Sequence, residues 1–581
     1  MAEHSQRTTV GIRVWNVGVR LWCFPFCRAA AVAALFGWLA YRYCAVYFPL
    51  DAGKVGGPGD FQANSALGWI VAKTLSEHGE LPLWNPYVHS GLPLIGEPYL
   101  SFFNPFVVLP LLTFGPVDGP KVVATCAVAL SGLGQYWLSR VLGHGRVISL
   151  VAGVLGMTAG SLVGRLASGM SFEQGMQHAW MAATLASFIV VLRTRRPIAV
   201  AVAALCYALM FHAGNLYYWI VLTAVLIIFT AGYAIAAPRT RTGPPVRLRW
   251  GTVAAAVGVA VLTFLLIGAQ ALPMVDLSGR VEKPIDVDIR GTQPPLATLF
   301  NFVVPDRQYW ARQLLGASDL GWSVHYAYVG GSVLLFFLFL VPAFLRRPTR
   351  DLPLLLLATT LTVALASAKH TFVLDLWRTW DLIRQFRFWG EIVAVTTVLL
   401  IPLAMAGADY LWQRLVAARD TLDRWGPQVI WQPPPAPQAV DTQRPEDAAE
   451  VLVQRSGWSM GLVRPLLWAM LLLALWNAMA DPWSVNSRVW YAPDYPTGSD
   501  ELLGWLRQHD PNAFTLDNND NVIAGYANVP HIKYGMQVLN SSWVLKARLI
   551  KSPGAPEDGL LKPAPKYILT HRDAAAPPGA T

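Results

Sequence analysis

Apolar runs of about 18 residues or more, each long enough to cross a ~30 Å hydrocarbon core as a helix, recur along most of this chain and alternate with short polar intervals. The pattern predicts eleven membrane-spanning helices, over residues 29–49, 120–141, 147–165, 178–193, 197–213, 217–237, 251–272, 327–345, 352–368, 388–411 and 463–480. Arginine orients them. Arg140 and Arg146; Arg193, Arg195 and Arg196; Arg239, Arg241, Arg247 and Arg249; and Arg346, Arg347 and Arg350 all fall on the side of the N-terminus, where the positive-inside rule puts cytoplasmic loops. Residues 50–118, 273–326, 369–387 and 481–581 then face the opposite, extracytoplasmic side.

The threading predicts an all-α polytopic membrane protein in four parts. A transmembrane core spans 1–411 and contains the first outer loop, 50–118. Residues 412–462 are polar, mixed in charge and rich in proline, which favours an extended cytoplasmic linker over a packed domain. The last span, 463–480, leads into an extracytoplasmic region, 481–581, with a short helical pattern and a strand expected over Tyr567–Thr570, hence a small α/β appendage.

Composition agrees with this placement. The 581 residues are 54% hydrophobic and 14% charged, against about 25% charged in soluble domains. The net charge of +10 is explained by the loop arginines and does not point to nucleic acid. Cys23, Cys27, Cys44, Cys126 and Cys206 fall in or beside apolar segments and read as small core residues, not as a disulfide framework or a zinc site. Several arginines precede the first span without a clear cleavage site, so an uncleaved anchor is expected. Phosphate-loop, dinucleotide-binding, zinc-helix and serine-elbow patterns are absent from the sequence.

The candidate chemistry lies in the outer loops. Asp60 follows the helix-breaking run Gly56-Gly57-Pro58-Gly59 and precedes Leu67, Ile70, Val71 and Leu75, spaced as one apolar helix face. It reads as a helix N-cap, and a capped carboxylate beside the lipid interface would also be held in place with its charge favoured. Glu97 sits among apolar and aromatic residues, either exposed at the interface or in a functional setting, and His89 in the same loop adds a proton-transfer or metal-binding group. Glu173, His178 and His212 fall near outer span ends, where helix-end hydrogen bonding accounts for them. Lys369, Arg378, Arg384 and Arg387 break the charge rule in the outer loop 369–387. Asp375 and Asp381 could neutralise them, or they could snorkel to head groups. Alternatively they form a phosphate site, joined by Arg280, because guanidinium forks match phosphate oxygens.

The segments "ELPLWNPYVHSGLPLIGEPYLSFFNPF", "HAWMAATLASFIV", "FHAGNLYYW", "GAQALPMVDLSGR", "YAYVGGSVLLFFL", "FRFWGEIVAVTTVLLIPLAMAGADYL" and "PKYIL", in this order, resemble the YfhO-like bacterial membrane proteins, which are similar to the GT-C superfamily of integral membrane glycosyltransferases. The resemblance implies a GT-C-like fold in the bacterial cytoplasmic (inner) membrane, with the N-terminus cytoplasmic and the C-terminus extracytoplasmic. It implies a polyprenyl-phosphate-linked sugar donor and an envelope glycan, lipid or protein as acceptor. It further implies a catalytic carboxylate just after the first span, a position that Asp60 occupies with Asp51 as the nearby alternative. Arg280, Arg384 and Arg387 are compatible with the implied cations around the lipid phosphate. The chain departs from the family pattern in one place: Glu391 stands in "FRFWGEI" where a second arginine is expected.

The leading expectation is therefore a glycosyltransferase with Asp60 as general base. Should a divalent metal (Mg²⁺ or Mn²⁺) take part, Asp60 and Glu97 would be its oxygen ligands. A non-catalytic lipid-linked glycan transporter or envelope-assembly scaffold is the alternative. A transporter predicts ionisable residues along the spans, whereas here they gather at the outer ends.

Overall fold

The computed structural model describes residues 25–45, 48, 50, 55–56, 70–72, 74–85, 92–96, 101–167, 172–214, 216–236, 247–280, 292–303, 326–346, 349–380 and 389–425, with short pieces at 472, 475–476, 490–491, 514–516, 522–524 and 567–568. The apolar runs fold as helices, because in hydrocarbon a spanning backbone must satisfy its own N–H and C=O groups. These are α1 (Pro25–Tyr43), α2 (Pro105–Val141), α3 (Arg146–Met157), α4 (Gly160–Ala167), α5 (Phe172–Thr194), α6 (Pro197–Phe211) and α7 (Leu216–Ala234). They continue with α8 (Trp250–Arg280), α9 (Pro295–Phe300), α10 (Gly331–Leu334), α11 (Leu340–Arg346), α12 (Asp351–Ala366), α13 (Val373–Thr379) and α14 (Val393–Trp425).

Among the described residues, six stretches are long and apolar enough to cross a membrane: Asp118–Val141, Arg146–Leu166, Gln174–Thr194, Leu216–Ala234, Trp250–Asp276 and Trp389–Ala417. Pro105–Gly115, Pro197–Phe211, Leu335–Arg346 and Asp351–Ala366 are shorter apolar helices. The expected span 463–480 lies outside the described residues except at 472 and 475–476. Among the described residues the strands are two or three residues long. Val55–Gly56 pairs antiparallel with Trp490–Tyr491, and Phe514–Leu516 lies between Val522–Ala524 and Tyr567–Ile568.

The bundle departs from the expected spans where the backbone requires it. Asn104 caps α2 by accepting the Phe106 amide at 3.1 Å, and the helix then kinks at Gly115, whose φ of 78° favours glycine. The expected span 147–165 breaks between α3 and α4. There the Gly160 amide donates to the Tyr328 carbonyl at 2.8 Å, and a Cβ on Gly160 would meet the Tyr328 nitrogen at 2.4 Å. Only a glycine lets the two backbones approach so closely. The expected helix 327–345 accordingly starts at Gly331, after the segment 326–330, and passes through a 3₁₀ stretch, Leu335–Phe339.

The most apolar parts of α5 and α14 are buried almost all round, so they read as continuous apolar runs without one favoured face, whereas α8 exposes most of its surface. Pro402 within α14 has no N–H, which leaves the Val398 carbonyl four residues earlier without its helical donor. The Gln135 side chain of α2 donates to that carbonyl at 2.9 Å. Gln135→Leu is expected to cost about 1–3 kcal/mol in detergent unfolding. Adding Pro402→Ala should recover part of the loss by restoring the helical N–H; equal midpoints for wild type and Gln135→Leu would refute the role.

One end of the bundle gathers arginines. Arg193 at the end of α5 donates to the Val141 carbonyl, to the Tyr233 hydroxyl at 3.0 Å and to Asp351, which also accepts from Tyr233. Asp409 of α14 accepts from the Gly145 amide at the start of α3, 2.9 Å away, and from Gln413. A cavity of about 80 Å³ at this end is lined by His144, Asp351, Pro402, Asp409 and Gln413 among others. In the α2–α3 loop, burial first and then the Arg140 charge push the His144 imidazole from its ordinary 6.5 down to about 4. Because the folded state disfavours protonation, this contribution to stability is fully present above pH 6.5 and is lost as pH falls from there through 4. It amounts to about 3 kcal/mol. The wild-type unfolding midpoint should fall over that window more steeply than that of His144→Asn; parallel profiles would count against it.

Candidate functional site

The end opposite the arginine cluster holds a buried polar group built from four elements. Helix α4, anchored by Gly160 on Tyr328, carries Ser161 and Arg165 one turn apart on the same face. The first turns of α5 bring Gln174, Gln177 and His178, and the start of α7 brings Tyr218, all buried. A buried 3₁₀ turn, Trp389–Ile392, leads into α14 and presents Glu391.

Arg165 Nη1 donates to Glu391 Oε1 at 3.3 Å, with the two residues only 2% and 5% exposed. Tyr218, fully buried, sits against the pair. His178 lies next to it: Nε2 is 3.0 Å from the Ser161 hydroxyl and Nδ1 3.5 Å from Ser131, whose own hydroxyl donates to the Gly156 carbonyl at 2.8 Å. With the Ser131 proton committed to Gly156, a neutral imidazole protonated on Nδ1 satisfies the set. Removing two charges from water carries a desolvation cost that only close pairing offsets, and ionisable groups buried in membrane bundles characteristically mark functional positions.

Other contacts fasten the surrounding chain. The Ser101 hydroxyl donates to the Ala213 carbonyl at 3.3 Å, and the Asn104 amide to the Leu209 carbonyl at 3.1 Å. His212 Nδ1 meets Gln270 Oε1 at 2.8 Å, beneath the Phe103 ring. The exit of the first long loop is thereby fixed to the end of α6, which His212 in turn joins to α8. Thr298 and Ser367 join α9 to the chain just beyond α12 at 3.0 Å. Lys121, fully buried in α2, pairs with Asp118 at 2.6 Å.

Asp51, Asp60, His89, Glu97, Arg384 and Arg387 lie outside the described residues. Arg280 is the last residue of α8, and its side chain also lies outside them. Lys369, Arg378 and Asp375 are exposed, and no ion pair joins Arg378 to Asp375. His178 and His212 are held in hydrogen bonds, as expected, although His178 reaches across the bundle core instead of serving a helix end. Cys27, Cys44, Cys126 and Cys206 are free thiols. Among the described residues, no three His, Cys, Asp or Glu side chains lie close enough to hold a metal ion; both expected oxygen ligands, Asp60 and Glu97, are outside that set.

Arg165 escaped the sequence reading because it falls at the end of an expected span, where an arginine looks like an ordinary terminal residue. The available signal was its counterpart: Glu391, set in an apolar run, also needs a partner. Glu391, at the position where the resemblance led to an arginine being expected, pairs with Arg165.

No protein-family model matches the chain, and no curated protein matches it. The resemblance to the YfhO-like proteins accordingly rests on the sequence segments alone. Among solved structures, the chain resembles the archaeal oligosaccharyltransferase AglB from Archaeoglobus fulgidus, in complex with an inhibitory peptide and a dolichol-phosphate. The identity is 12%, covering 84% of this chain and 59% of that chain, with a TM-score of 0.44. It also resembles ArnT from Cupriavidus metallidurans in the apo state, at 15% identity over 79% of this chain and 76% of that chain, with a TM-score of 0.42. For ArnT bound to undecaprenyl phosphate the identity is 15%, the coverage 88% of each chain and the TM-score 0.39. The chain therefore spans about three-fifths of the length of the archaeal enzyme it resembles. Likenesses of this strength carry no argument about its activity.

Proposed function

We propose that the protein is an integral membrane glycosyltransferase that moves a sugar from a polyprenyl-phosphate carrier to an extracytoplasmic glycan, lipid or protein. The observation that carries the reading is the Arg165–Glu391 pair, buried at the end of the bundle away from the arginine cluster. The described residues flanking the loops that bear Arg280 and Arg387 lie at that same end. Charged side chains among the described residues gather at the two ends and form no ladder between them, which favours an enzyme over a transporter.

In the proposed reaction Asp60 takes the proton of an acceptor hydroxyl. The acceptor oxygen bonds to the anomeric carbon as the bond from that carbon to the phosphate oxygen breaks, and polyprenyl phosphate leaves with the electron pair. Arg280, Arg384 and Arg387 stabilise the charge that grows on the leaving phosphate. The membrane would be the bacterial cytoplasmic one, with the arginine-rich end inside.

The test is transfer of labelled sugar from a native polyprenyl-phosphate-sugar extract to cell-envelope acceptors by the purified protein in proteoliposomes. Transfer above protein-free vesicles supports the reading. Donor binding without transfer would replace it with the transporter or scaffold reading.

A further inference from the structure

We infer that Arg195, Arg196 and Arg249 form a built site for the phosphate of an anionic phospholipid, at the arginine-rich end of the bundle where α5 turns into α6 beside the start of α8. The site is independent of the proposed transfer reaction and depends only on the orientation that puts this end at the cytoplasmic leaflet. Other arginines of this end are committed within the bundle: Arg193 to Asp351, Tyr233 and the Val141 carbonyl, Arg140 to the His144 carbonyl, and Arg350 to the Ile235 carbonyl at 3.3 Å. Arg195, Arg196 and Arg249 are exposed, and among the described residues their side chains make no hydrogen bond and no ion pair. The sequence offers them no local carboxylate, since no Asp or Glu occurs between Glu173 and Asp276. The buried carboxylates of this end are already held, Asp351 by Arg193 and Tyr233, and Asp409 by the Gly145 amide and Gln413.

Arg195 directly follows α5, and its amide closes that helix on the Val191 carbonyl at 2.8 Å. Its φ of 54° lies in the left-handed region, where a helix end favours glycine. The side chain is laid against the first turn of α8: a Cβ on Gly251 would sit 3.2 Å from Arg195 Nη1 and 3.7 Å from Cδ. Arg249 stands two residues before Gly251, and Arg196 follows Arg195, so the three basic residues meet at one corner. The positive-inside rule asks only for basic charge on this side, which a lysine or arginine in any backbone conformation supplies. It does not account for an arginine in a glycine-favoured conformation, beside two other unneutralised arginines and a helix start whose partial positive charge repels a cation. A bound anion relieves that repulsion, and guanidinium forks match phosphate oxygens bidentately. The surroundings favour lipid as the source of the phosphate. Ile198 and Trp250 beside the arginines are each 71% exposed, and α8 exposes most of its surface. An exposed tryptophan next to basic groups suits the head-group level of a bilayer, where basic pockets collect anionic lipid.

The test is lipid titration of the purified full chain by native mass spectrometry, with phosphatidylglycerol and phosphatidylethanolamine as probes, on wild type, Arg195→Gly, Arg249→Gln and Arg146→Gln. Arg195→Gly removes the guanidinium while suiting the backbone, so in lipid-free detergent it should unfold at or above the wild-type temperature. Arg146, exposed at the start of α3, supplies the same topological charge away from the site. Phosphatidylglycerol should bind wild type about tenfold or more tighter than phosphatidylethanolamine does. Arg195→Gly and Arg249→Gln should each weaken phosphatidylglycerol binding by about tenfold, and Arg146→Gln by less than about threefold. Saturating phosphatidylglycerol should raise the unfolding temperature of wild type and not that of Arg195→Gly. Equal affinity for the two lipids, or an equal loss in Arg146→Gln, overturns the proposal, because charge count alone would then explain the binding. Displacement of phosphatidylglycerol by millimolar inorganic phosphate would assign the corner to a soluble phosphate and overturn lipid docking.

Discussion

Asp60→Asn is expected to lower kcat for sugar transfer by about 10²–10⁴-fold, the range supplied by a positioned general base, while leaving donor binding close to wild type. Asparagine keeps the size of the side chain and its capacity to cap a helix, so a capping role alone would survive the exchange. What it loses is the ability to take a proton. In the proposed reaction arginines and not Asp60 hold the donor phosphate, so titration of the purified variant with labelled polyprenyl-phosphate sugar should give a Kd within about threefold of wild type. Equal transfer by wild type and Asp60→Asn would remove Asp60 from the chemistry. Asp51→Asn and Glu97→Gln, assayed in parallel, would then show which carboxylate carries it.

Arg165→Leu and Glu391→Leu are each expected to destabilise the protein by about 3–5 kcal/mol, because either one strands an uncompensated charge in a buried site. The double variant should be markedly more stable than the sum of the two losses predicts, since it leaves no charge behind and fills the space with apolar atoms. Unfolding midpoints of the four proteins in one detergent form a cycle, and a coupling energy of about 2 kcal/mol or more is expected from direct contact. Additive losses would mean that the two side chains do not depend on each other.

The sequence by itself determined the class of the molecule and the run of its helices. Hydrocarbon forces a backbone to satisfy itself locally, so apolar length alone predicts a spanning helix, and the periodic arginines predict the end at which Arg193 meets Asp351 and Asp409 meets the Gly145 amide. It also exposed the candidate carboxylate and the candidate phosphate-binding arginines, because an ionisable residue beside a membrane span stands out against its neighbours. Which of those loop residues meet is not legible in a linear pattern, since a loop's path is set by the surfaces it leaves and enters.

Only the tertiary structure decided the pairings inside the bundle. Arg165 and Glu391 are 226 residues apart, and Gln135 and Val398 are 263 apart; no local periodicity relates such positions. The breaks at Gly160 and before Gly331 belong to the same class, because each follows from a backbone contact with a distant segment. The physical reason is common to all of them. Helix formation depends on neighbours in the chain, whereas satisfying a buried charge, or a carbonyl freed by Pro402, depends on whichever side chain the packing brings within reach.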